Sequence, residues 1–316
     1  MGDYLTVRKH AVSPGTYRCD CATLSSFDCY LVANGVDGKE IGSAAVHGWM
    51  QSLCPSYARS TFVGKVSGLR KFLEYLRYSG FPVYLPRCPK LADTYSPYIF
   101  SDAELEKIFR AADSIQPAAS TRPYMHLEIP MLLRLLYCCG LRLGEALALQ
   151  VKDIHFQDGT ILIRNAKNKK QRIVPVDWAL AGMLGKYCLA MDLSCGPENF
   201  LFPGRSPGKP LSKNTAWRRF RRILEETGIY TEPEAHTRGQ CLHCFRHLFA
   251  IRSFAQAERN GCPVDDSVPY LSIYLGHGDM NGTEKYLKFS SDMFPEYNAM
   301  FESYAGEAFS EVSYGE

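Results

Sequence analysis

A break in periodicity constrains this chain more than any other feature. The stretch "PVYLPRCPKLADTYSPYIF", residues 82–100, is rich in proline and carries neither a helical nor a strand repeat. Proline fixes φ, removes a backbone donor and pushes the residue before it out of the helical region. Such a stretch can neither extend a helix nor lie in the middle of a sheet. It divides the chain into two parts, each of which must bury its own core. A length of 316 residues leaves room for two domains of ordinary size. With the boundary near residue 95, the expected parts are a domain at 1–85, a linker at 86–98 and a second domain at 99–316.

The first part reads as mostly helical. Ser13-Pro14 is a cap and first-turn pair, and the helix it opens is expected to stop at Gly35. "GSAAVHGWMQSL" predicts a shorter helix. In "STFVGKVSGLRKFLEYLRYSG", Phe62, Val66, Leu69, Leu73 and Leu76 form one apolar stripe on a long helix that Gly80 ends. Lys65, Arg70, Lys71 and Arg77 lie off that stripe and face solvent or a partner.

The second part is mixed. Ser101 and Glu104 make a capping-box signature ahead of Leu105, Ile108 and Phe109. "EIPMLLRLLYCCG" predicts a buried helix closed by Gly140, and "GEALALQ" starts another after a tight turn. "DIHFQDGTILIRNAKNKKQRIVPV" alternates around an Asp-Gly turn, which predicts a small antiparallel sheet. Helices are expected at 177–191, 213–226 and 243–258, with a short pair at 266–288. The fold class expected is mainly α with a small antiparallel β-sheet.

Composition excludes some classes. Hydrophobic residues at 46% and charged residues at 22% suit a soluble globular protein. The run nearest to a membrane span, "IPMLLRLLYCCGL", is interrupted by Arg134. The amino terminus has no apolar signal core, so no export and a cytoplasmic location are expected. The twelve cysteines then read as reduced thiols. A net charge of +3 permits a nucleic-acid partner without requiring one.

Five stretches place reactive or phosphate-binding side chains at turns and helix starts. "CGLRLGEAL" sets Arg142 in a sharp turn with Glu145 one helical turn later. An arginine among apolar residues must be paired or must serve a ligand, so a structural Arg142–Glu145 pair and a phosphate fork both fit. "IRNAKNKKQRIVPV" puts Lys167, Lys169 and Lys170 at a hairpin tip, where lysines commonly serve solubility alone. "CLHCFRHLFA" carries His243 and Arg246 on one face of a helix start, which favours anions. The same stretch holds Cys241, Cys244 and His247, with His236 nearby, a zinc alternative that lacks a second half-site. Cys19, Cys21 and Cys29 are a weaker metal candidate. "LGHGDMNGTEKY" adds His277 and, nine residues on, Tyr286.

In this order, Arg142, Lys167, His243, Arg246, His277 and Tyr286 resemble the tyrosine recombinase, or phage integrase, family. The matching elements are "GLRLGEAL", a lysine in a hairpin before "RIVP", "HCFRHLFA", and "LGH" followed by "T-x-x-Y". No single element is specific, whereas their order and spacing are. The residues before the break look like that family's helical core-binding (SAM-like) domain, so the resemblance covers nearly the whole chain. Two features depart from the pattern. Lys167 sits between Ala166 and Asn168 instead of glycines, which keeps Lys169 and Lys170 as alternatives. The run from Arg246 to His277 is long, as if by an insertion at Gly261–Val268. No further domain is expected ahead of the core-binding region.

The resemblance implies an enzyme that cleaves and rejoins DNA strands at specific sites, without metal, nucleotide or other cofactor. Tyr286 would attack the phosphodiester and end as a 3′-phosphotyrosine. Arg142 and Arg246 would bind the non-bridging oxygens, His243 and His277 would hydrogen-bond the phosphate, and Lys167 would protonate the departing 5′ oxygen. Glu145 would orient Arg142. Partners implied are double-stranded DNA as a pair of recombination sites, a homotetramer on that DNA, and accessory bending or directionality proteins. Integration, transposition of a mobile element and a nucleoid-associated location belong to the same expectation. Basic residues expected to meet DNA phosphates are Arg70, Lys71 and Arg77 in the first part and Lys213, Arg218, Arg219, Arg221 and Arg222 on "SKNTAWRRFRRILEETG". "FPEYNAMFESY" would form a terminal helix, residues 293–304, that docks in a neighbouring subunit or folds onto its own domain. Rival readings are a type IB topoisomerase and a non-catalytic DNA-binding protein of the same fold.

Overall fold

The computed structural model describes residues 1–36, 40–54, 56–90, 97–117, 124–164, 171–193, 196–233, 239–276 and Thr283. The chain divides into two compact units, Met1–Tyr95 and Ser96–Glu234 with Arg238–Glu316. Among the described residues, no helix is long and apolar enough to cross a membrane.

The first unit is helical. Its elements are α1 (Gly2–Ala11), α2 (Pro14–Ala33), α3 (Ser43–Leu53) and α4 (Arg59–Tyr78). Ser13 caps α2, its side chain accepting from the Thr16 N–H, and Pro14 occupies the first turn, where a missing donor costs nothing. The apolar stripe of α4 is wider than its sequence spacing suggests. Phe62, Val66, Leu69 and Leu73 are buried together with Phe72, while Leu76 is only partly covered. Phe27 and Trp49 meet edge to face in the same core, with ring centroids 5.4 Å apart. Helix α1 had no sequence signature of its own. Tyr4 holds it in place by packing on Phe72, as does Arg8, whose Nε and one terminal nitrogen both donate to Asp20 Oδ2 at 2.9 and 2.7 Å. Asp20 is nearly buried, so that pair satisfies a charge that could not stand alone there.

The second unit begins with α5 (Asp102–Asp113), where Ser101 and Glu104 form a capping box. Next come α6 (Met125–Cys139), the five-residue α7 (Leu143–Leu147) and a three-stranded antiparallel sheet. Its strands are β1 (Ile154–His155), β2 (Thr160–Ile163) and β3 (Arg172–Pro175). Ile161, Ile163 and Val174 face the core while Ile173 is exposed, the alternation expected of a half-buried sheet. Helices α8 (Trp178–Ala190), α9 (Lys213–Glu226), α10 (Cys244–Arg259) and α11 (Val264–Leu275) complete the α-helices among the described residues.

Helix α6 is the centre of this unit. It starts at Met125, three residues before the expected "EIPM", and carries Pro130 inside it. Ile129, Leu132, Leu133, Leu135 and Leu136 are all buried, so it is apolar nearly all round. Arg134, the interruption in its apolar run, reaches out to Asp113 in a bidentate pair at 2.8 and 2.7 Å. Phe100, Phe220 and Phe245 cluster beside it and join α9 and α10 to the start of the unit.

The stretch read as an insertion, Gly261–Val268, contains a turn and the first residues of α11. Of the short helix pair expected at 266–288, the first is α11, which runs from Val264 to Leu275 through Pro269; the second falls outside the described residues except for Thr283, which is helical and buried. Residues 277–282 and the expected terminal helix at 293–304 lie outside the described residues.

Candidate active site

Residues far apart in sequence meet at the carboxyl end of α11. Helix α6 ends at Gly140, which takes a left-handed φ of 57°. That residue turns the chain sharply, and Arg142 then caps α7 in an extended conformation. Glu145, in the first turn of α7, accepts from the Arg142 backbone N–H at 3.0 Å and from Arg142 Nη1 at 2.8 Å. The structural pairing and the ligand reading are therefore not exclusive. The Arg142 side chain keeps 24% of its surface exposed.

Arg246 approaches from α10. It is only 1% exposed, and its terminal nitrogens donate to the Gly140 carbonyl at 2.8 Å and the Leu275 carbonyl at 2.7 Å. Arg142 reaches the same turn, donating to the Leu275 and Gly276 carbonyls at 3.4 and 3.3 Å. The last carbonyls of a helix have no partner within it and carry the negative end of its dipole. Two guanidinium groups satisfy them here. They also fix the backbone immediately ahead of His277 in the chain.

The sequence reading missed a third arginine. Arg172, the first residue of β3, donates through Nε to the Tyr274 carbonyl at 2.7 Å. Its terminal nitrogens grip both oxygens of Glu145, at 3.2 and 2.8 Å. The only available signal was its place in "RIVP", directly after the lysine-rich hairpin tip. Burial alone would raise the Glu145 carboxyl, but Arg172, then the Arg142 backbone and side chain, outweigh it. They hold the group at about 2 against an ordinary 4.5.

His243 stands at the start of α10, exposed, with its ring 4.8 Å from that of buried His247. Cys241 and Cys244 bring their sulfurs to 3.7 Å. Among the described residues, no group of three or more His, Cys, Asp or Glu is arranged to hold a metal. Lys167, with its alternatives Lys169 and Lys170, and also His236, His277 and Tyr286 lie outside the described residues.

The basic residues expected to meet DNA fall into distinct settings. On α9, Arg218, Arg219 and Arg222 line a cleft of about 620 Å³ together with Arg205, Lys209, Ser212 and Thr215. Arg221 instead lies over the Tyr230 ring and pairs with Glu225 at 2.8 Å. Lys213 sits beside α7, its amine 3.0 Å from where a Cβ on Gly144 would be. In the first unit Lys71 and Arg77 are exposed. Arg70 is engaged, donating to Glu74 at 2.8 Å and to the Pro86 carbonyl at 2.6 Å, so it ties the segment after α4 back onto the helix.

Comparison with known proteins gives the family. The profile of the phage integrase family matches residues 99–292. A tyrosine recombinase of Pseudothermotoga lettingae is 26% identical over 296 residues, covering 91% of both chains. Among solved structures, the XerH site-specific recombinase in a post-cleavage complex with palindromic difH superposes with a TM-score of 0.68. That match has 19% identity and covers 90% of this chain and 80% of the other. A lambda integrase dimer bound to a COC′ core site gives 0.66 at 15% identity, over 90% and 93% of the two chains. The chain belongs to the phage integrase family, the tyrosine recombinases.

Proposed function

We propose that this protein is a site-specific recombinase that cleaves and rejoins DNA through a 3′-phosphotyrosyl bond to Tyr286. The observation that carries the reading is the convergence of Arg142 and Arg246 on the Leu275 carbonyl, one residue short of the "GH" step. Arginines placed so close repel unless anionic groups or dipoles hold them, and the site they make suits a further anion. The relatives are named recombinases, which favours strand exchange over a topoisomerase or a non-catalytic binder.

The chemistry follows from what a tyrosine needs. A phenol with a pKa of about 10 is a weak nucleophile at neutral pH and requires a neutralised phosphate and a route for its proton. The exposed edge of Arg142 binds a non-bridging oxygen and stabilises charge gathering on the pentavalent phosphorane. Arg246 adds its charge from below the turn, and it reaches the second oxygen by giving up the Leu275 carbonyl. His243 accepts the tyrosine proton. Lys167 donates a proton to the departing 5′ oxygen, and His277 hydrogen-bonds the phosphate. The phosphotyrosine conserves the energy of the broken bond, so a different 5′ hydroxyl can attack it without a nucleotide cofactor.

Duplex DNA is held by phosphate contacts from both units. The cleft formed by Arg205, Lys209, Arg218, Arg219 and Arg222 supplies these on the second unit, joined by Lys213 next to the catalytic turn. Lys71 and Arg77 supply them on the first. The chain acts as a tetramer on a pair of sites, with residues 293–304 docking in trans.

The test is covalent capture. Protein incubated with DNA flanking its own gene and boiled in detergent should yield a protein–DNA adduct, absent for Tyr286→Phe. An adduct that survives that change would assign the nucleophile to a different tyrosine. Folded, tightly binding protein that forms no adduct would contradict catalysis.

A further inference from the structure

We propose that Arg172 is a positioning residue for strand cleavage: it locks Glu145 and the end of α11 together, and through them sets the aim of Arg142. This rests on the strand-transfer reading above. Arg172 spends three separate nitrogens on the task, Nε on the Tyr274 carbonyl and the two terminal nitrogens on the Glu145 carboxylate. Its side chain is 9% exposed and that of Glu145 is 3% exposed, so neither charge has water to fall back on.

The partners give the arrangement its meaning. Glu145 is shared, since the oxygen that accepts from Arg172 Nη1 also accepts from Arg142 Nη1. Tyr274 offers the first of three successive carbonyls. The next two, on Leu275 and Gly276, receive Arg142, and Leu275 also receives Arg246. Arg172 thus joins the strand that follows the lysine hairpin to the arginine pair and to the residue preceding His277. The packing leaves no slack on this side. A Cβ on Gly276 would lie 3.0 Å from Arg172 Nη1, and Gly276 itself has a left-handed φ of 67°.

Without Arg172 the Glu145 carboxylate keeps, among the described residues, a single guanidinium partner and draws Arg142 further onto itself, away from a phosphate. The end of α11 loses the Arg172 hydrogen bond to the Tyr274 carbonyl at the same step. A lysine restores the charge but not the fork, because an ammonium cannot address both carboxylate oxygens and a carbonyl in one plane. Among the described residues, the charged groups bonded to Glu145 are Arg142 from its own turn and Arg172 from β3, with Lys213 of α9 beside neighbouring Gly144.

The experiment compares full-length wild type, Arg172→Gln, Arg172→Lys and Tyr286→Phe in single-turnover adduct formation on nicked DNA that traps the covalent complex. DNA affinity, melting temperature and rate between pH 5 and 8 are recorded in parallel. Arg172→Gln is expected to slow adduct formation about a hundredfold, the cost of a misplacement near 1 Å, with DNA affinity within threefold of wild type. Its rate should also fall off at a higher pH than that of wild type, as Glu145 loses a partner and becomes easier to protonate. Arg172→Lys should recover part of the rate. An Arg172→Gln rate within threefold of wild type overturns the proposal. So does a rate loss in both variants that only follows their melting temperatures and leaves the pH profile unmoved. If wild type itself forms no adduct, the functional reading fails first and separately.

Discussion

Replacing Gly140 with alanine tests the geometry of the site most directly, because two independent costs can be worked out for it. The first is conformational. Gly140 has a φ of 57°, and an L-residue with a Cβ in the left-handed region costs roughly 1–2 kcal/mol. The second is steric. The added Cβ would lie 2.5 Å from Cδ1 and 2.8 Å from Cγ of Phe249. That ring cannot simply swing aside, since it stacks on Tyr274 at 5.2 Å with an interplanar angle of 15°. Overpacking of this kind costs about 1–3 kcal/mol. Together the second unit should lose about 2–5 kcal/mol. Urea unfolding of full-length protein, analysed as two transitions, measures the loss. Asparagine at the same position separates the costs, because it tolerates the left-handed region but still brings a Cβ. Since the Gly140 carbonyl holds Arg246 and the Phe249–Tyr274 stack joins α10 to α11, adduct formation should slow as well. A loss below about 1 kcal/mol with an unchanged adduct rate would refute the claim that this turn is tightly packed around the arginines.

Two further outcomes are expected. Glu145 has a carboxyl held at about 2 against an ordinary 4.5, a depressed value worth roughly 3 kcal/mol of stability. That contribution is complete above the ordinary value and is lost as pH falls toward about 2, so Glu145→Gln should flatten the loss of stability between pH 5 and pH 3. Parallel urea midpoints for the two proteins across that range would contradict it. Deleting residues 292–316 should leave monomeric DNA binding intact and abolish recombination between paired sites; unchanged recombination would remove the case for docking in trans.

Much of the fold was legible along the chain because its signals are local. Ser13-Pro14, Ser101 with Glu104, and Gly140 each act within one helical turn, and each marks a real boundary. The alternation around Asp158-Gly159 likewise encodes the three strands, since the strand period and the turn both lie within a few residues. Local signals failed where packing decides. Helix α1 has no strong apolar face and owes its place to Tyr4 and to the Arg8–Asp20 pair. Phe72 is buried although it lies off the expected stripe, because α4 presents a face wider than a single row. The stretch Gly261–Val268 folds as a turn and a helix start, and composition alone did not show where the helix begins.

The arginines divide along the same line. Order and spacing in the sequence carry the family resemblance, and that resemblance implies Arg142 and Arg246 as a pair for phosphate. Only the tertiary structure shows that both end on the carbonyls of one turn, 133 and 29 residues away from them. Only the tertiary structure enlists Arg172, whose partner Glu145 stands 27 residues earlier. A guanidinium's reach is set by how helices and strands pack around it, and no period along the chain records that distance.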